Sequence, residues 1–97
     1  MEIRFAREEL GSVCNSKAAL MRRWGSERGA VVAQRLSELH ALDRLADLKH
    51  LPHIEVRRAR RRTSIAAGPD LAIIVREEAA SPARLVVLAV QDRKEQD

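Results

Sequence analysis

At Pro52 the spacing of apolar residues changes, from a recurrence every three or four positions to alternation and short continuous runs. The change divides the 97-residue chain into a helical half and a stranded half. Before it, Leu10, Val13, Cys14, Met21 and Trp24 share one helical face, with Ala18 between them. The spacing predicts a helix over residues 7–24, interrupted where Gly11 weakens it and where Asn15-Ser16 can cap a restart. Gly25 supplies a stop, and Ser26 can cap a second helix that carries Val32, Leu36, Leu39 and Leu42 toward Leu45. Helices joined this tightly form an antiparallel hairpin. Residues 46–51 can add one more turn, which Pro52 ends by disfavouring helix in the residue before it.

Strands bracket these helices. Ile3 and Phe5 alternate with charged residues at the start, the period of a short half-buried strand. Beyond Pro52, Ile54 and Val56 alternate with Glu55 and Arg57, and residues 63–67 follow as a second strand. Gly68-Pro69-Asp70 is a turn signal. The run Leu71 to Val75, bounded by Arg76-Glu77-Glu78, reads as a central strand; residues 79–82 turn again, and Leu85 to Val90 has strand length and branched composition. The final Q-D-R-K-E-Q-D is polar and expected to fray once Asp92 leaves the strand. The expected fold is therefore α+β. It has a short N-terminal strand, an antiparallel helical hairpin, and a three- to four-stranded, mostly antiparallel sheet with the first strand beside a later one. Residues 1–97 suffice for one domain and leave no room for a second core.

Five arginines occupy the six positions Arg57 to Arg62. Of the 18 basic residues, the 13 others face 14 acidic ones, so the net charge of +4 originates in this one stretch. Guanidinium groups offer fixed, bidentate donors that match phosphate oxygens, and nucleic acid is the default partner of such a patch. The same run would also serve as a solvated edge strand or a basic arm. Phe5 and Trp24 are the only aromatics, so the stacking platform of single-strand binders built on aromatic sheets is missing. Cys14 stands alone, which excludes an intrachain disulfide and argues against a cysteine-based zinc site; a reducing cytoplasm fits. Charges at positions 2, 4, 7, 8 and 9 leave no room for the apolar core of a signal peptide, and the longest apolar run is far short of the ~20 residues of a membrane span. A soluble cytoplasmic protein without a membrane partner is expected.

The first half resembles the RelE/ParE superfamily of toxins from bacterial type II toxin-antitoxin systems, in particular its HigB-like killer-protein branch. The matching pieces are I-R-F-A at Ile3 to Ala6, C-N-S at Cys14 to Ser16, Trp24-Gly25, R-L-S-E-L at Arg35 to Leu39, and L-A-D-L-K-H-L-P at Leu45 to Pro52. Their order and spacing agree over roughly half of the chain; the stranded half agrees in plan. The resemblance implies a RelE-like fold and a ribosome-associated, metal-independent endoribonuclease that cleaves mRNA. It also implies a cognate antitoxin protein as partner, in a toxin-antitoxin hetero-oligomer, and no cofactor. The implied chemistry is attack of a ribose 2′-hydroxyl on its own 3′-phosphate, with cations around the transition state.

In the second half the sequence departs from that branch. Arg57 stands where the branch has histidine, R-R-A-R-R at Arg57 to Arg61 replaces its H-x-L-K-G, and Leu71 falls where an arginine often precedes the central strand. Asp92 is followed by Arg93 and Lys94 in place of tyrosine and histidine. An imidazole near its neutral pKa is the efficient proton shuttle, whereas arginine is poor at it. What the resemblance then assigns is Arg57 and Arg60 at the scissile phosphate, Asp92 orienting a guanidinium, and Arg58, Arg61, Arg62, Arg76 and Lys94 on flanking phosphates. The missing imidazoles and phenol also admit a ParE-like gyrase poison or a catalytically impaired nucleic-acid-binding relative. His40, beside Leu39, is expected to be packed or partly exposed; His50 and His53, flanking Leu51-Pro52, are expected to be exposed, with His53 a subsidiary proton-shuttle candidate. Cys14, Met21 and Trp24 are expected in the core.

Overall fold

The computed structural model describes residues 1–93, the side chain of Pro82 apart. Strand β1 (Glu2–Phe5) is followed by helices α1 (Glu8–Cys14), α2 (Lys17–Trp24) and α3 (Ser26–Ala41) and by a 3₁₀ segment (Leu45–His50). Four strands complete the described residues: β2 (Val56–Arg58), β3 (Thr63–Ala67), β4 (Leu71–Glu78) and β5 (Ser81–Asp92). They form one five-stranded mixed sheet in the order β1-β5-β4-β3-β2, so the fold class is α+β.

The helical half breaks where residue chemistry provides a cap. Ser16 lies in extended backbone and its hydroxyl accepts a hydrogen bond from the Ala19 N–H at 3.2 Å, which starts α2 after the Asn15 interruption. Gly25 ends α2 and also precedes α3, at φ +91°, a conformation strained for any residue with a Cβ. One glycine thus reverses the chain, and the expectation that Ser26 caps the second helix is corrected: Ser26 is its first helical residue and no side chain caps α3. Helix α3 then packs against α2 at Gly29, where a Cβ would lie 2.6 Å from the Leu20 carbonyl oxygen. It ends at Ala41 and does not run on toward Leu45, because Leu42 is extended; the following turn is 3₁₀.

β2 to β5 form an antiparallel meander of consecutive pairs, whereas β1 lies at the edge, parallel to β5, with Ile3 opposite Leu85 and Phe5 opposite Val87. Three helices separate β1 from the meander, so no tight turn obliges it to run antiparallel to its neighbour. Both long strands outrun their apolar runs. β4 continues through Arg76, Glu77 and Glu78, and β5 spans Ser81 to Asp92, so only Ala79 and Ala80 turn between them. Ladder hydrogen bonds extend pairing past the last buried side chain, and β5 runs through Gln91 to Asp92, the residue at which the strand was expected to end. Conversely β2 begins only at Val56; Ile54 is buried in the turn before it.

The core lies between the helices and one face of the sheet. Leu20, Val32, Leu36 and Leu39 meet Ile65, Ile73, Val75, Leu85 and Val87, with Leu45, Leu48 and Ile54 closing one side. Cys14 is buried as expected, and burial pushes its thiol up to about 11, so it is protonated at neutral pH. Met21 and Trp24 are only half-buried, and Trp24 packs under the Arg23 guanidinium, 5.4 Å from its ring centre. His40 is exposed rather than packed, since it follows Leu39 and is turned ~100° from the buried stripe. Among the described residues no helix is long and apolar enough to cross a membrane.

Candidate nucleic-acid interface

The arginine stretch folds into the β2–β3 hairpin. Arg57 and Arg58 pair with Ser64 and Thr63, the Ala59 N–H donates to the Arg62 carbonyl at 2.9 Å, and Arg60 and Arg61 form the tip. Alternation along β2 then sends neighbouring arginines to opposite sides of the sheet. Arg57 is in register with Ser64, Ile74 and Ala89, on the face that the helices leave open; Arg58 is in register with Thr63 and Val75, on the helix side.

On the open face lies a concavity of about 540 Å³. Its floor is aliphatic, made by Ile74, Leu88 and Ala89, and its rim carries Arg7, Arg57 and Arg62. A β-bulge shapes the floor. Ile74 pairs with Ala89 but Val75 pairs with Val87, which leaves Leu88 as the extra residue and turns two consecutive side chains toward the same hollow. Arg7 arrives from the junction of β1 and α1, where the Ala6 N–H donates to Val87 O at 2.9 Å and holds that junction against β5. Ser64 and Gln91 add a hydroxyl and an amide.

A second, larger crevice of about 840 Å³ opens at the end of the hairpin. It is lined by Arg58, Arg60, Arg61 and Arg76, together with Thr63 and one carboxylate, Glu77. Arg58 and Ala59 line both hollows.

The arginines separate into two groups. Arg4, Arg35, Arg84 and Arg93 have carboxylate partners: Arg35 bonds Glu38 at 2.5 Å and the Ala66 carbonyl at 2.9 Å, Arg84 bridges Glu2 at 2.9 Å and Glu78 at 3.0 Å, Arg93 bonds Glu55 at 2.5 Å, and Arg4 lies 3.6 Å from Glu2. Through its hydrogen bond, Arg84 holds the Glu2 carboxyl below the usual carboxylate range. By contrast Arg7, Arg58, Arg60, Arg61, Arg62 and Arg76 make no ion pair among the described residues. Positive charge gathered without internal neutralisation is available to an external anion.

The residues assigned from sequence are only partly brought together. Arg57 and Arg62 meet at the open-face hollow, while Arg60, Arg61 and Arg76 meet at the hairpin end, with Arg58 between. Asp92 closes β5 opposite Leu71, three strands from Arg57 and on the other side of the sheet by register, and it lines neither hollow. Lys94 lies outside the described residues. His53 is exposed, its Nε2 3.1 Å from Glu38, and His50 is exposed as well; neither lines a hollow that holds the arginines. Among the described residues no three His, Cys, Asp or Glu side chains converge as a metal site.

Sequence reasoning missed Arg7, Leu88, Gln91 and Thr63. Arg7 is remote from the arginine run, and a bulge has no local signature in a continuous apolar stretch, so nothing in the linear pattern pointed to them. Comparison of the chain with family models, with curated proteins and with solved structures finds no match in any of the three.

Proposed function

We propose that this chain is a toxin of the RelE/ParE kind, RelE-like in fold and similar in plan to the HigB-like branch. In this reading it works in the cytoplasm as a ribosome-associated mRNA endoribonuclease. The observation that carries the nucleic-acid part is the open-face hollow, an aliphatic floor with Arg7, Arg57 and Arg62 around it. An unstacked base fits an apolar floor, and the guanidiniums reach the phosphates on either side of it. The toxin part rests on the succession of sequence pieces from Ile3 to Pro52.

In this reading the ribose 2′-oxygen attacks the adjacent phosphorus, the bond to the 5′-oxygen breaks, and a cyclic phosphate and a free 5′-hydroxyl result. The proton of the 2′-hydroxyl leaves to water, and water protonates the departing oxygen. The protein contributes orientation and charge: guanidiniums hold the extra negative charge of the five-coordinate state. A cognate antitoxin would silence the site by laying an acidic, extended segment over the β2–β3 arginines and the short edge strand β2.

A second reading is favoured by one feature of the hollow. Among the described residues its polar lining is arginine, serine and glutamine, without a histidine or carboxylate to shuttle a proton. A member that binds nucleic acid or poisons gyrase without cutting RNA needs no such group. Inducible expression in a bacterium, with transcript ends mapped, separates the two. Growth arrest with new transcript ends, both lost in R7A/R57A/R62A, is the expected result; arrest with intact transcripts and DNA damage selects the second reading, and undiminished arrest in the triple variant removes the hollow from either.

A further inference from the structure

We propose that the crevice at the end of the β2–β3 hairpin is a second phosphate subsite, which takes a neighbouring phosphodiester of the same single strand that enters the open-face hollow. This rests on the nucleic-acid reading given above and adds a binding determinant to it, Thr63.

Thr63 is 8% exposed, and it is the one buried polar residue among the described part of the chain. Its hydroxyl makes no hydrogen bond there. Buried polar groups are almost always satisfied, and an unsatisfied one costs stability. Thr63 lines the crevice together with Arg58, Arg60, Arg61 and Arg76, none of which makes an ion pair among the described residues although the Glu77 carboxylate lines the same space. Among the described residues four guanidiniums face one carboxylate across the crevice, a balance that favours an anion. A spare hydroxyl donor at its wall and forked donors around it match a group that only accepts hydrogen bonds and carries charge, which is phosphate.

The two hollows are joined. Arg58 and Ala59 line both, and Arg57 and Arg58 stand on opposite sides of the sheet, so a ligand passing from one hollow to the other must turn around the sheet edge at the hairpin. A duplex, with a persistence length of ~150 base pairs, turns around an edge a few residues wide only at a high deformation cost. A single strand turns without that cost. The site therefore selects an unpaired strand by its path, without aromatic stacking.

The test uses the full chain with an eight-nucleotide oligouridylate and an eight-base-pair duplex as probes. Thr63→Val keeps shape and deletes the hydroxyl. Octamer binding should weaken about tenfold, the usual worth of a hydrogen bond to a charged group. The melting temperature of the free protein should hold or rise, because an unpaired hydroxyl is replaced by a methyl. R60A/R61A/R76A should reduce the log-log salt slope of octamer binding by ~2, about 0.7 for each phosphate no longer neutralised, and the duplex should bind more weakly than the octamer. Wild-type affinity in T63V, a lowered melting temperature in that variant, or a duplex bound as well as the octamer would each overturn the subsite. If R7A/R57A/R62A alone weakens the octamer, the open-face reading survives and the second subsite does not; if the wild-type protein binds no octamer, both readings fall.

Discussion

Gly29 shows how a single missing side chain decides the helical half. The Leu20 carbonyl carbon and oxygen and the Met21 Cα all lie within 2.7 Å of where its Cβ would be, and all three are backbone atoms that cannot swing aside. Gly29→Ala would gain helix propensity, ~1 kcal/mol, but it forces α2 and α3 apart, and overpacking of this kind costs ~1 to 3 kcal/mol or more. The expected outcome in urea denaturation is a net loss of about 2 kcal/mol. A variant as stable as wild type would mean that the two helices slide without cost. Gly25 was legible in the sequence as a punctuation mark. Gly29 was not, because inside a helical pattern a glycine needed for close approach looks the same as one that merely weakens the helix.

Among the elements, β1 is held by charge as well as by its ladder. Its Glu2 carboxylate bonds Arg84 of β5, which also bonds Glu78 at the far end of β4, so one guanidinium ties three strands. The Glu2 carboxyl is lowered from its ordinary 4.5, first by the hydrogen bond from Arg84. A carboxyl whose folded pKa is depressed contributes stability that is present above its unfolded pKa and lost as pH falls through the folded value. Glu2→Gln should therefore be slightly less stable than wild type at pH 7, and the gap should close as the pH is taken below the ordinary carboxyl value. Denaturation curves of both proteins across that range check the sign; a gap unchanged in acid would show that the tie is not ionic. The pair is exposed, so the effect is small. β2 is held differently: three residues long, at the opposite edge, it pairs among the described residues with β3 alone. Its apolar-polar alternation was visible, but its arginines looked like one patch, and only the register shows that they are dealt to two sides of the sheet.

At the scale of the whole molecule, charge is sorted rather than simply concentrated. The arginines with carboxylate partners brace strands and turns, whereas most of those around the two hollows are left without one among the described residues. If a single strand engages the seven arginines of both hollows, log affinity should fall with log salt at a slope of about −5, by ~0.7 per phosphate. The slope is read from binding titrations between low and physiological salt. A flat response would exclude the surface as a phosphate track, whatever the strand's sequence.

The division at Pro52, the three helical segments, the turn at Gly68-Pro69-Asp70 and the buried character of Leu71 to Val75 were all determined by the sequence, because caps, breakers and apolar period act over a few residues. Tertiary structure alone decided which side of the sheet each arginine faces, that Leu88 bulges into the floor, that Arg7 joins the rim, and that Asp92 lies three strands from Arg57. These depend on strand register and on residues far apart in the chain, and a one-residue slip would exchange the two faces.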